Sequence, residues 1–232
     1  MNILITRPLI DAEDLMGIFF SLGHKIIHIP TLKISVANID PTDAKKYDAF
    51  IFTSANAVRN LRLINHDKSK ICFCVGSITE KIVRQAGYNN TISAGGTVNA
   101  LKNIILNFDQ VDKKKSIAYF CGDNISSKLD IELKREGLQV DKIINYTSEK
   151  ITDLNEENNK IIKNHPPDII FIYSKRSAES FIDIVKKYTL NDLMTESRVL
   201  CISEKVLSVL KSAGWKKLEV FEPGEEIIKL EV

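Results

Sequence analysis

Short apolar runs alternate along the chain with segments in which apolar residues recur at helical spacing. Runs rich in β-branched and aromatic residues are typical of buried strands, and a spacing of three to four is typical of helices. The pattern predicts strands near residues 2–6, 25–29, 48–53, 71–75, 91–93, 116–121, 139–146, 168–173, 198–202 and 217–221. Helices fill the intervals, so the sequence predicts an α/β fold with parallel sheets covered by helices.

The clearest predicted helix follows Gly76. Ser77 and Glu80 have the spacing of a capping box, and Gly87 is suited to end the helix. The predicted apolar face consists of Ile78, Ile82, Val83 and Ala86.

The two halves of the chain resemble each other. Residues 48–54, DAFIFTS, match residues 168–174, DIIFIYS, at an offset of 120. Two further matches join strand-helix units that end at Gly87 and Gly214, offset 127, and at Gly23 and Gly137, offset 114. Such units also look alike in any doubly wound protein, but three matches in the same order favour a duplication.

A length of 232 residues suggests two units of roughly 100 to 120 residues each. Two extended, partly polar segments, 25–37 and 139–150, are predicted to be paired connectors. The predicted architecture is therefore two similar doubly wound parallel-sheet lobes joined by a two-stranded linker. The predicted bounds are 1–35 plus 148–232 for a discontinuous lobe, 38–146 for a continuous lobe, and linkers near 30–37 and 140–150.

Charge and composition narrow the function classes. The net charge of +2, from 32 basic and 30 acidic residues, gives no general field for nucleic acid. Acidic residues from Asp11 onward interrupt the N-terminal apolar run before a signal-peptide core or membrane span forms. We therefore expect a cytoplasmic protein without nucleic-acid or membrane partners. A monomer is also expected.

The four cysteines, Cys72, Cys74, Cys121 and Cys201, lie in apolar strand-like runs without a Cys-x-x-Cys pair or a nearby histidine. This pattern favours buried reduced thiols over disulfides or metal ligands, so no metal site is predicted.

Familiar nucleotide, hydrolase and zinc motifs are missing from the sequence. Small hydroxyl residues instead follow predicted strands where helices begin, at Thr53-Ser54, Gly76-Ser77 with Thr79, Gly122-Asp123 and Ser174. Each is at least an N-cap candidate. Strand carboxyl ends form the ligand side of open α/β sheets, and helix N-termini suit anions. Because such residues recur in both predicted lobes, they predict two facing rows of donors in a crevice that holds a large polyanion.

Several segments together resemble the uroporphyrinogen-III synthase family. They are ILITRP at 3–8, the Gly23 turn before Ile29-Pro30, FTSANAV at 52–58 and VGSIT at 75–79, followed by Gly122, Gly137, Tyr146, Ser174, Cys201 and Trp215. The resemblance spans essentially the whole chain.

This resemblance implies a cofactor-free lyase with its active site in the crevice between two α/β lobes. Its small-molecule substrate is hydroxymethylbilane, a linear tetrapyrrole with eight carboxylates. The enzyme closes it to uroporphyrinogen III while inverting the last pyrrole ring, a step in heme biosynthesis. Because the substrate also closes unaided without inversion, the enzyme mainly positions it and assists loss of its hydroxyl as water.

Carried over by position, the resemblance makes Tyr146 the catalytic candidate that assists departure of the hydroxyl. The expected substrate-binding residues are Thr53, Ser54, Gly76, Ser77, Thr79, Gly122, Ser174 and Ser203.

The sequence also departs from the family pattern. Cys121 and Ser126 stand where many members have arginines, and Lys128 is a candidate replacement. Ser203 and Val206 stand where Gly and Thr are common.

These departures keep one alternative open, a non-catalytic two-lobed ligand-binding or sensor protein on the same scaffold. A second alternative is a sugar-transferring enzyme with two α/β lobes. The missing nucleotide-phosphate loop counts against it.

Overall fold

A computed structural model describes residues 1–37, 45–61, 67–108, 114–125 and 127–230. The chain divides into two compact units, Met1–Lys33 with Glu149–Val232 as unit 1, and Ile34–Ser148 as unit 2. Residue 38, the predicted first residue of the continuous lobe, lies outside the described residues.

All ten predicted strands are present, together with an additional strand, β3, inside the segment predicted as an extended connector. The strands are β1 Asn2–Ile5, β2 Lys25–His28, β3 Leu32–Val36, β4 Ala49–Phe52, β5 Ile71–Cys74, β6 Thr91–Ser93, β7 Ser116–Gly122, β8 Gln139–Lys150, β9 Ile169–Ile172, β10 Arg198–Cys201 and β11 Leu218–Val220. The helices are α1 Leu9–Ser21, α2 Ala55–Arg59, α3 Ser77–Gln85, α4 Val98–Leu106, α5 Leu129–Arg135, α6 Glu156–Asn164, α7 Lys175–Lys187, α8 Asn191–Met194 and α9 Glu204–Ser212, with a 3-10 turn at Ile228–Leu230.

Each unit contains one sheet. In unit 1 the strand order is β11-β10-β9-β1-β2, and all four pairings are parallel. In unit 2 the order is β3-β8-β7-β4-β5-β6, and the four pairings from β8 to β6 are parallel. Unit 1 has the 2-1-3-4-5 order of flavodoxin-like folds. In unit 2, strands β8-β7-β4-β5-β6 follow the same order, and β3 is added beside β8. The chain of unit 2 enters this order at its third position, so β4 takes the place that β9 has in unit 1.

The three sequence matches therefore join strands at equivalent sheet positions. β4 and β9 are both central, β5 and β10 lie on the same side of them, and β7 and β1 lie on the other side. The prediction of two similar doubly wound units is confirmed.

Alternate residues of each strand supply the cores on the two faces of its sheet. In unit 1, Ile3, Ile5 and Phe171 pack with Phe19 of α1. Residues one position along, including Leu4, Ile170 and Val199, pack with Phe181 of α7 and Leu210 of α9. Unit 2 repeats this arrangement, with α4 and α5 on one face and α2 and α3 on the other. Parallel strands buried on both faces explain the continuous apolar runs.

β3 lies beside β8, as predicted for the two connectors. Ile151 N–H donates to Thr31 O at 2.9 Å, and Ala37 N–H donates to Asn145 O at 3.1 Å. Partner numbers fall as residue numbers rise, so the two connecting segments run antiparallel.

All four cysteines are buried and free. Burial raises the pKa of Cys74 and of Cys201 to about 12 and that of Cys121 to about 11, so these thiols stay protonated at neutral pH. The predicted burial is confirmed. Within the described ranges, no helix has both the length and the apolar character needed to cross a membrane.

Candidate active site

Seven of the predicted site residues lie at one edge of the unit 2 sheet, where β7, β4 and β5 end and where Tyr146 of β8 pairs with the last residue of β7. Parallel neighbours end at the same edge of a sheet, so the ends of β7, β4 and β5 lie there together. The seven residues are Tyr146 on β8, Gly122 at the end of β7, Thr53 and Ser54 after β4, and Gly76, Ser77 and Thr79 after β5. In unit 1, Ser174 and Ser203 follow the adjacent strands β9 and β10.

Two of the predicted hydroxyl residues are N-caps. The Ser54 hydroxyl accepts from Asn56 N–H at 3.2 Å at the start of α2. The Ser174 hydroxyl accepts from Ser177 N–H at 3.0 Å at the start of α7. A serine oxygen that accepts a cap bond keeps its own proton for a ligand acceptor. Ser203 precedes α9 and makes no side-chain cap bond in the described part of the chain.

Helix α3 begins at Ser77 with Gly76 as its N-cap, and no side chain caps it in the described structure. The predicted capping box is wrong because Glu80 lies one residue beyond the position from which it would reach the cap. Its carboxylate instead accepts from Arg84 at 2.8 Å and from Thr91 at 2.7 Å. The first-turn N–H groups of α3 therefore remain directed at the carboxyl edge of the sheet, where they suit an anion.

The periodic pattern placed Ile78 on the buried face of α3, but Thr79 lies there instead. Thr79 is 5% exposed and lies on the buried side of α3 with Val83, whereas Ile78 is 49% exposed. Val206 occupies the equivalent place in α9 and is 3% exposed. The predicted apolar face is thus wrong at Ile78, because Thr79 lies nearer the centre of the face that Ile82 and Val83 form at about 100° per residue.

Thr53 is hydrogen-bonded to a residue that sequence reasoning missed. Its Oγ1 lies 3.0 Å from the hydroxyl of Tyr119, which is 1% exposed in the middle of β7. Burial raises the pKa of Tyr119 to about 12, so its hydroxyl stays protonated. The available signal was a tyrosine inside an otherwise apolar strand, because a buried phenol needs a polar partner.

Tyr146 is half-buried and packs against the core between the sheet and helices α2 and α3. Strand β8 has an irregularity at this place, because Cys121 pairs with Ile144 and Gly122 pairs with Tyr146. Asn145 is the extra residue, so it forms a β-bulge. Its Nδ2 donates to Ala57 O of α2 at 2.6 Å.

Arg7, which was not predicted as a site residue, lies at the carboxyl end of β1. Its guanidinium is 4.3 Å from the ring centre of Tyr173, which follows β9. Stacking of this kind holds a cation in place. Its position directly after a buried strand was the available signal.

Three residues near the end of β7 bear on the departure from the family pattern, and the structure describes two of them. Cys121 is 1% exposed in a core cluster with Leu129, so it offers no polar group to a ligand. Lys128 is exposed just before α5. Ser126 lies outside the described residues. No group of three or more His, Cys, Asp or Glu side chains suited to a metal occurs within the described ranges.

The sequence and the fold were compared with those of known proteins. None of the curated proteins compared with the chain matches it in sequence. A uroporphyrinogen-III synthetase structure from Helicobacter pylori is similar with a TM-score of 0.64 and 16% identity, covering 99% of this chain and 97% of that one. A mutant uroporphyrinogen III synthase from Thermus thermophilus is similar with a TM-score of 0.60 and 15% identity, covering 100% and 96%.

At these identities the structures establish the fold alone. The family model HEM4, described as uroporphyrinogen-III synthase HemD, matches residues 14–224, most of the chain. On that match, the chain belongs to the uroporphyrinogen-III synthase family.

Proposed function

We propose that the chain carries out the reaction of its family with Tyr146 beside the leaving hydroxyl of the substrate. Members of this family are lyases that close hydroxymethylbilane to uroporphyrinogen III with inversion of the last pyrrole ring. The observation that carries the proposal is the family match over residues 14–224. The gathering of seven predicted site residues at one sheet edge supports it.

The first chemical step is loss of the hydroxyl, which leaves as water once it receives a proton. The Tyr146 phenol donates a hydrogen bond to this departing oxygen. The resulting cation is attacked by the substituted carbon of the last ring, which gives a spiro intermediate and then the inverted macrocycle. Because closure also occurs unaided, holding the right carbon near the cation supplies most of the control.

Neutral donors are suited to the substrate carboxylates. Ser54 and Ser174 each retain a hydroxyl proton, and Gly76 exposes the first-turn N–H groups of α3. Ser77 is exposed on that turn, whereas Thr53 and Thr79 contribute hydroxyls closer to the sheet. Ser203 is proposed to contribute in the same way, and exposed Lys128 supplies a positive charge near the end of β7.

We also propose that the chain acts in the cytoplasm as a monomer. Its 32 basic residues nearly balance 30 acidic ones, which offers no general field for a nucleic-acid partner. The family match does not favour a non-catalytic binding protein or sensor.

Product analysis tests this function. Freshly made hydroxymethylbilane is incubated with the protein, the products are oxidised, and the porphyrin isomers are resolved by chromatography. The inverted isomer III is expected, and heat-denatured protein serves as the control for spontaneous closure to the uninverted isomer. If the active preparation yields only the uninverted isomer, the proposed function is wrong.

A further inference from the structure

We infer that Gly122 is a positioning residue: the space left by its missing side chain holds the Tyr146 ring in its working orientation. This inference rests on the proposed role of Tyr146. It gives Gly122 a different task from the substrate contact expected from the sequence.

The contact between the two residues is closer than any side chain at 122 would allow. A Cβ built on Gly122 would lie 2.6 Å from both Cε2 and Cζ of Tyr146 and 3.0 Å from its hydroxyl oxygen. Separations under 3.0 Å essentially never occur for real Cβ atoms. The outer half of the ring therefore lies directly against the backbone of β7, and this half carries the hydroxyl.

The bulge at Asn145 brings Tyr146 to this face of the sheet. In a regular strand, Tyr146 would share a face with Ile144, which is 42% exposed. Because of the bulge, Tyr146 instead packs against the same cluster as Ile143. Fully buried Asn145 fixes the bulge by its hydrogen bond to Ala57 O.

The backbone on both sides of the contact is held, so the ring is the part that can shift. Asp123 N–H donates to Tyr146 O at 3.1 Å, and the Asp123 carboxylate accepts from Ser148 N–H at 3.0 Å. Gly122 is not among the glycines with positive φ, so alanine fits its backbone conformation. A methyl group at 122 is therefore expected to displace the far end of the Tyr146 side chain and leave the strands in place.

If Gly122→Ala displaces the Tyr146 ring, kcat and KM should respond differently, which would not be expected if Gly122 only supported the fold. The hydroxyl of Tyr146 would move away from the leaving group, whereas the groups proposed to bind carboxylates would stay. We expect kcat to fall while KM changes little, because the lost interaction belongs to the transition state. The slower enzyme should also release more uninverted isomer, since spontaneous closure competes.

A double-mutant cycle tests the inference with Gly122→Ala, Tyr146→Ala and the double variant. We expect Gly122→Ala to lower kcat by about tenfold or more, the loss of one well-placed donor. In the Tyr146→Ala background, where no ring remains to be displaced, Gly122→Ala should change kcat by less than about twofold. Gly17→Ala is the matched control, since a Cβ there meets no atom within 4 Å in the middle of α1, and its kcat should equal that of the original protein.

Full activity of Gly122→Ala would overturn the inference, and so would an equal proportional loss with and without the Tyr146 ring. A ring-labelled tyrosine NMR spectrum gives a readout without substrate, in which Gly122→Ala should shift the Tyr146 signals and Gly17→Ala should not. Unshifted signals would also overturn it. Failure of the proposed function is separate, because it appears as absence of isomer III in the original protein.

Discussion

At the scale of single residues, the proposed role of Tyr146 depends on one group, the phenol proton, at the end of a ring that lies against Gly122. We expect Tyr146→Phe to lower turnover by about ten- to a hundredfold, because it removes one positioned donor and keeps the ring. Thr79→Ala and Ser174→Ala should each cost about tenfold or less, since positioning is shared among many donors. Single-turnover rates and isomer ratios measure these effects, with the thermal midpoint as a check on folding. A fully active Tyr146→Phe variant would remove Tyr146 from the mechanism.

From the sequence, Tyr146 could be proposed as a site residue, but its surroundings could not be predicted. Family resemblance pointed to the tyrosine, and strand ends pointed to the hydroxyls. The contact with Gly122 depends on the register between β7 and β8 and on the bulge at Asn145. Neither leaves a mark in local periodicity, because the bulge residue is defined only by its partner strand. For Tyr119, the sequence indicates only that a buried phenol needs a polar partner, and that partner, Thr53, follows another strand.

At the scale of elements, helices α4 and α7 can be compared because each begins with a hydroxyl side chain as its N-cap. Thr97 caps α4 by accepting from Ala100 N–H at 3.1 Å, as Ser174 caps α7. We expect Thr97→Ala and Ser174→Ala each to lower the free energy of unfolding by about 1 kcal/mol, the usual effect of losing a cap. Only Ser174→Ala should also lower turnover, because Thr97 is not among the proposed substrate contacts.

Urea unfolding curves and kcat for the two variants check this prediction. If Ser174→Ala loses stability but keeps full turnover, Ser174 is a cap and nothing more. An equal loss of turnover in Thr97→Ala would show instead that the assay responds to stability.

The elements themselves were largely predictable, because strands buried on both faces give continuous apolar runs. The end of α3 was also predictable, since Gly87 has a φ of 93° and lies just beyond the C-cap Ala86. Its start was not. Gly76, and not Ser77, is the N-cap. Thr79 is buried and Ile78 is exposed because successive helical residues are about 100° apart, which places Thr79 between Ile82 and Val83 and Ile78 at the margin of the buried face. A hydroxyl side chain is a common N-cap, but the sheet contacts of the helix decide which residue takes the position.

At the scale of the whole molecule, the continuous unit Ile34–Ser148 contains nearly all of its six-stranded sheet and both of its core clusters. We expect a fragment of residues 34–148 to fold cooperatively alone. Division between residues 115 and 116 should leave both pieces unfolded, because it separates β7 from β4, which pair from Ala49 with Ile117 to Phe52 with Phe120. Circular dichroism melts and hydrogen exchange on the fragments measure this. Two folded midpoint halves would contradict it.

The permuted strand order of the two units also has a consequence for the order of events during translation. During translation, β1 and β2 are made before the strands of the other unit. β1 lacks its second neighbour until β9 is made, and β9 begins at Ile169, whereas β2 ends at His28. At a synthesis rate of roughly 5–20 residues per second, one edge of β1 stays unpaired by β9 for roughly 7 to 30 s. During that time all strands of the Ile34–Ser148 unit are completed. The unit whose first strands are made earlier is therefore the later of the two to be able to fold, and a chaperone that shields apolar strands would act on the segment that contains β1 and β2.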